Sequence, residues 1–197
     1  MQKKQAILKT AARLFATQGF DATTTLQIAR EAGATEPLIY YHFKGKDDLF
    51  TRIIDATFSK YFSRIDELEK NPTSPFGQIQ KLIELQYDIA EEMPDEVQII
   101  ASACPARLND PLDICARNVK EYRRRLLGYL TRNISEGVGS GEFENVPTED
   151  TAIMILSVIN GIVRYSKMNP DPGKNLRKVA VEFCRRSLMN GNREDSS

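Results

Sequence analysis

The sequence predicts an all-α fold. Apolar residues recur at helical spacing along nearly all of its 197 residues, and no period-2 run bounded by turns appears. Prolines punctuate the second half, at Pro94, Pro105, Pro111, Pro147 and Pro172. With 41% apolar residues the chain can bury a sizeable core, which excludes disorder and collagen-like repetition.

The first apolar stripe is Ile7/Leu8, Ala11/Ala12, Leu14/Phe15, and Gly19 follows where a left-handed cap would end a helix. Thr24-x-x-Gln27 has the form of a capping box opening a short helix that holds Ile28, Ala29 and Ala32, and Gly33 breaks it. Thr35 can cap a third helix, with Pro37 tolerated in its first turn, that ends near His42-Phe43. From Lys46 to Lys70 runs a stripe of about six turns, too long for a small head alone. Asn71-Pro72-Thr73-Ser74-Pro75 is the clearest break. Beyond it the pattern places helices at roughly 76–93, 95–104, 111–136, 148–168 and 174–189, then a polar, frayed tail over 190–197.

Charge excludes a bulk polycation, because 27 basic residues balance 27 acidic ones. The balance is local: residues 1–46 hold seven basic and three acidic side chains, a net of +4, so the remainder carries −4. The longest uncharged stretch, Thr151 to Val163, has 13 residues, short of the roughly 18 to 20 that cross a bilayer. The N-terminus lacks the unbroken apolar segment of a signal peptide, so a cytoplasmic protein is expected. Cys104, Cys115 and Cys184 are few, odd in number and far apart, which argues against a disulfide framework and for small buried hydrophobes.

Two short helices joined by a glycine turn, preceded by a third and lying in the basic part of the chain, make a helix-turn-helix candidate. Glu36-Pro37-Leu38-Ile39-Tyr40-Tyr41-His42-Phe43 offers the mixed donors, acceptors and apolar groups that reading base edges and holding phosphates requires. The run Gly19-Phe20-x-x-Thr23-Thr24-Thr25-x-x-Ile28-Ala29-x-x-Ala32-Gly33-Ala34-Thr35-x-x-x-Ile39-Tyr40-x-His42-Phe43-x-x-Lys46-x-x-Leu49 closely resembles the tetracycline-repressor (TetR) family of bacterial regulators. Glu136-Gly137-x-x-Ser140-Gly141-Glu142-Phe143 is similar to a turn in that family's ligand domain.

The resemblance implies a three-helix helix-turn-helix head over residues 1–46, a connecting helix at about 46–70, and a larger helical ligand-binding and dimerisation domain over 47–197, with about nine helices in total. It also implies DNA contacts. Thr24 and Thr35 would cap helices and touch phosphates, Tyr40 and His42 would hold the DNA backbone, and Lys46 would clamp a phosphate. Pro37, Leu38, Tyr41 and Lys44 complete the expected DNA-binding set, with Leu38 suited to a thymine methyl. Glu36 either accepts from a cytosine amino group or stabilises the helix dipole from its first turn. His42 also reads as a C-terminal dipole partner.

His42 is the only histidine, which excludes a Glu-x-x-His di-iron bundle and leaves no His-based metal or acid/base centre, so no metal and no cofactor are expected. Gly137-Val138-Gly139-Ser140-Gly141 follows a helix and reads as a helix-ending turn, not a phosphate loop.

Residues 152–168 are apolar on two adjoining faces, Ala152/Ile155/Ile159/Ile162 and Met154/Val158/Gly161/Tyr165, leaving Ser157, Asn160, Arg164 and Lys167 for solvent. The last helix adds Leu176, Val179/Ala180, Phe183/Cys184 and Leu188. The resemblance implies a homodimer with a four-helix interface, for which Ile155, Val158, Ile159, Ile162, Val179 and Phe183 are the candidates. Polar tips on apolar walls mark Tyr61, Phe62, Gln86, Tyr87 and Tyr122 as candidate lining for a small, largely hydrophobic effector.

The expected function is therefore a dimeric repressor that binds a palindromic double-stranded operator and is released by that effector. A regulator controlled by a protein partner or by oxidation of Cys104 and Cys115 is the alternative. A small α-helical enzyme is disfavoured, for want of a nucleophile, metal or base cluster.

Overall fold

Helices form where the apolar period runs, and glycines end them where the backbone must turn left-handed. The computed structural model describes residues 2–168 and 175–189, and of 166–168 the backbone alone. Among these residues there are nine α-helices and no strand: α1 (Gln2–Gln18), α2 (Thr25–Glu31), α3 (Glu36–His42), α4 (Lys46–Lys70), α5 (Pro75–Glu92), α6 (Pro94–Ala103), α7 (Ile114–Ser140), α8 (Thr148–Met168) and α9 (Leu176–Leu188). The all-α expectation holds. Pro172, Lys174, the side chain of Lys167 and the polar tail at 190–197 lie outside the described residues.

The residues group into two compact units. One comprises Met1–Tyr61 with Glu92–Lys120, the other Phe62–Glu91 with Glu121–Ser197, and α4 and α7 contribute to both. In the first unit Ile7, Ala11, Phe15, Ile28, Ile39, Phe43, Leu49, Phe50 and Ile54 are buried. Phe15, Phe20 and Phe50 form an aromatic cluster with centroids 5.2 to 6.1 Å apart, and α6 packs on α1. Gly19 (φ 88°) and Gly33 (φ 61°) take the left-handed conformation expected of them.

The second unit is built on Ile79, Leu82, Ile83, Leu126, Leu130, Ile134, Ile155 and Ile159. Its buried polar groups are paired where they meet, as when the Tyr129 hydroxyl donates to Gln78 Oε1 at 2.6 Å. Burial pushes the Tyr129 phenol well above its ordinary range. Helix α7 runs four residues beyond the expected end at 136 and stops where Gly141 adopts φ 73°. The turn that follows ties three helices together. Phe143 lies on Gly137, so that a Cβ there would drive into its ring; Glu142 accepts from the Phe76 amide at the start of α5, at 3.2 Å; and the Glu144 amide donates to Leu188 O at the end of α9, at 2.9 Å.

Two sequence expectations are corrected. Cys104 and Cys115 are buried as expected but form a disulfide, because the 104–115 segment folds back and brings their Cα atoms to 5.2 Å. Only Cys184 is a free thiol, and burial pushes it up to about 11. The capping box is half made. Thr24 Oγ1 accepts from the Gln27 amide at 3.1 Å, but the Gln27 side chain donates to Glu31 instead of the Thr24 amide.

Candidate nucleic-acid interface

Helix α3 is held by two anchors one turn apart, Ile39 and Phe43, both buried. That leaves the opposite side outward: Tyr40 is 57% exposed and Tyr41 81%. Aromatic exposure on this scale is costly unless something covers it. Glu36 opens the helix among the four N-terminal amides, and its Oε1 accepts from Thr25 Oγ1 at 2.7 Å. Tyr40 Oη lies 3.4 Å from the same hydroxyl, so Thr25, Glu36 and Tyr40 join α2 to α3. Of the two meanings open to Glu36, a base reader or a first-turn acid, the second describes the free protein, where the carboxylate is already bound to Thr25.

Thr24 and Thr35 are exposed at the N-caps of α2 and α3. Thr24 caps; Thr35 makes no side-chain capping bond, which corrects its expected role and leaves its hydroxyl outside the helix. Pro37 is exposed at the start of α3, and Leu38 is half-buried beside it. His42 packs edge-on against Tyr41 at 4.9 Å. The Lys44 side chain is exposed, while its amide donates to Asp48 Oδ2 at 3.0 Å and holds that carboxyl below its usual range.

Lys46 departs most from expectation. Its ammonium donates to Phe20 O at 2.8 Å and to Asp21 O at 3.4 Å, and stands 4.3 Å from the Phe20 ring centroid. The expected phosphate clamp is, in the free protein, a staple between the start of α4 and the turn before α2.

Leu26 was missed by sequence reasoning. It is 63% exposed in the first turn of α2, next to Thr25. The signal was available, since Leu26 falls out of phase with the buried Ile28/Ala29 pair.

Of the expected effector residues, Phe62, Gln86, Tyr87 and Tyr122 belong to the second unit and Tyr61, buried, to the first. Gln86 and Tyr122 meet, with Tyr122 Oη 3.4 Å from Gln86 Oε1 and 2.8 Å from Asn160 Oδ1. Arg125 stacks on Phe62 at 4.6 Å. The Tyr87 hydroxyl is buried without a hydrogen-bond partner among the described residues, and burial raises its pKa. Two surface grooves of the second unit, of about 350 and 650 Å³, are lined by other residues, among them Arg64, Lys81 and Asp88 in one and Leu127, Thr131 and Ile153 in the other.

The expected dimer set divides. Val179 and Phe183 are each 57% exposed on α9, and Val158 and Ile162 are half-buried. Ile155 and Ile159 face their own core, which corrects their assignment. Among the described residues, the outward large apolar side chains of α8 are Ile153, Met154 and Tyr165.

Residues 7–53 match the family model of bacterial regulatory proteins, tetR family. The chain is thus similar to the TetR family, most directly in this N-terminal segment. The matched span covers α2 and α3 whole. The chain is 28% identical over 143 residues to the HTH-type transcriptional repressor KstR2 of Mycolicibacterium smegmatis, covering 72% of this chain and 67% of that one. It is 30% identical over 192 residues to the uncharacterized HTH-type transcriptional regulator YerO of Bacillus subtilis, covering 94% and 63%. Among solved structures, the ketosteroid transcriptional regulator KstR2 of Mycobacterium tuberculosis superposes with a TM-score of 0.80 at 18% identity, over 96% of each chain. The chain spans between 41% and 67% of the length of the curated relatives it matches first. These relatives are transcriptional regulators, not enzymes. No helix among the described residues is long and apolar enough to cross a membrane.

Proposed function

We propose that this protein is a homodimeric, ligand-responsive repressor working in the cytoplasm, with residues 1–46 as the DNA-binding head and 47–197 as the ligand-binding and dimerisation domain. The observation that carries the reading is helix α3, anchored inward by Ile39 and Phe43 and presenting Tyr40 and Tyr41 outward from a segment of local charge +4. Tyr40, Tyr41, His42, Thr24, Thr35 and Lys44 hold phosphates, while Pro37, Leu38 and Leu26 meet base edges.

Dimerisation is supported by the outward Met154 and Tyr165 of α8 and Val179 and Phe183 of α9, apolar groups that a partner would cover. Two heads must stand about 34 to 36 Å apart to enter successive major grooves on one side of the duplex. The unpartnered Tyr87 hydroxyl supports an effector that is largely hydrophobic and carries one hydrogen-bond acceptor. That the similar KstR2 is a repressor supports repression over activation.

Selection from random duplexes tests the reading. It should recover an inverted repeat, and if each dimer neutralises roughly six to ten phosphates, log K should fall with log salt at a slope of about −5 to −9. Recovery of no inverted repeat, or binding indifferent to salt, would refute it.

A further inference from the structure

Cys104 follows α6, Cys115 stands in the first turn of α7, and the disulfide closes the segment between them. Both cysteines are buried, whereas most of the bracketed residues are exposed, Leu112 by 82%. Arg107 points from this segment onto the aromatic cluster of the head, its guanidinium 4.9 Å from the Phe20 ring and 4.4 Å from the Phe50 ring. Asp113 completes the tie. Its carboxylate pairs with Arg107 at 3.3 Å and accepts from the Cys115 amide at 2.7 Å. The Phe20 ring also carries the Lys46 ammonium, and its carbonyl accepts from it. One aromatic residue, at the turn before α2, is thus held both by the disulfide segment and by the start of α4.

A protein that works on bacterial DNA works where thiols are kept reduced, and a disulfide there is transient and signals an oxidant. We propose that Cys104 and Cys115 are a thiol–disulfide switch whose closure braces Arg107 on the Phe20/Phe50 cluster and tightens the grip of the head on DNA. The oxidant is a hydroperoxide. One thiol, as thiolate, attacks the peroxide; the O–O bond breaks, an alcohol (or water) leaves, and a sulfenic acid remains. The second sulfur then attacks the first, the S–S bond forms and water leaves, so that the two sulfurs together give up the two electrons that reduce the peroxide. A dithiol reductant resets the pair by exchange, becoming a disulfide itself. Because both sulfurs are buried, the switch requires the short, exposed 105–112 segment to open and admit the oxidant. Closure restricts that segment, and a head ordered beforehand pays less on binding. Cys184, a buried thiol that is not paired with another cysteine, is the internal control.

The switch rests on the DNA-binding reading, and the test separates the two. The full chain is treated with hydrogen peroxide or with dithiothreitol, the 104–115 linkage is followed by mass spectrometry, amide exchange is followed over residues 20–25, and affinity is measured on the selected operator. Oxidation should link 104 to 115, slow exchange at 20–25 and tighten operator binding about fivefold or more. Cys184→Ser should respond like the wild type, and Cys104→Ser with Cys115→Ser should not respond. Arg107→Ala, with both cysteines kept, should form the linkage without the gain in affinity. Failure to form the linkage, unchanged exchange at 20–25, or operator binding that is equal or weaker after oxidation overturns the switch. Failure to select any operator in either redox state overturns the DNA reading instead, and the exchange measurement still decides the bracing.

Discussion

Lys46→Met separates a phosphate clamp from a structural staple. The substitution keeps most of the aliphatic stem and removes the ammonium that bonds Phe20 O at 2.8 Å and faces the Phe20 ring at 4.3 Å. A charge-assisted hydrogen bond contributes about 1.5 to 3 kcal/mol and an exposed cation–π contact about 0.5 to 1. Lys46 is half-buried, so the lower ends apply, and the loss of stability should be about 2 kcal/mol. Urea unfolding measures it as a fall in midpoint at unchanged slope. The salt dependence of operator binding should stay as steep as in the wild type, because no phosphate contact has been lost. A stability change under about 0.5 kcal/mol, together with a slope shallower by about one unit, would refute the staple and restore the clamp.

Phe183→Glu or Met154→Glu should leave a folded monomer by light scattering, whereas Ile155→Glu should unfold the chain, since Ile155 is in the core. Gly137→Ala places a methyl group in the Phe143 ring and should cost about 1 to 3 kcal/mol in urea unfolding; an unchanged midpoint would show that Phe143 moves freely. Glu121 is held at about 2 by Arg124 and then Arg125, below its usual 4.5, so its pairs stabilise above about pH 4.5 and are lost as pH falls toward 2. Acid titration of Glu121→Gln should show a flatter stability curve in that window, and an identical curve would remove the pairs from the account. Tyr87→Phe should leave thermal stability unchanged or raised, because the deleted hydroxyl is unpartnered, while weakening whichever effector a thermal-shift screen finds; equal effector affinity would place the effector elsewhere.

What could be read in advance was local. The helical period, Gly19 and Gly33 at positive φ, and Thr24 capping Gln27 each depend on residues within a turn or two, and they stand in the structure as expected. What could not be read depends on distant partners. Lys46 lies at the expected helix start, but its ammonium finds a carbonyl 26 residues earlier. Cys104 and Cys115 pair because an intervening segment folds back, a matter of loop geometry that spacing does not encode. In α8 two adjoining apolar faces were visible, yet which one turned inward depended on the neighbouring helices; Ile155 and Ile159 went to the core and Met154 stayed outside. Burial of Gln86 and of the Tyr87 hydroxyl was legible from their place in an apolar stripe, but whether each polar tip is met was not.

Helix α9 is latched at both ends. Arg177, in its first turn, donates to Glu84 O at 2.9 Å and pairs with Asp88, and Leu188 and Met189 are held by Glu144 and Phe143. A helix pinned twice cannot roll about its axis, so the division between inward Ala180, Cys184 and Leu188 and outward Val179 and Phe183 is set without help from any partner. In the proposed dimer, stability and partner choice therefore reside in separate residues of one helix. Duplicated copies of such a gene could drift apart in whom they pair with, by changes at 179 and 183 alone, while each product kept its fold.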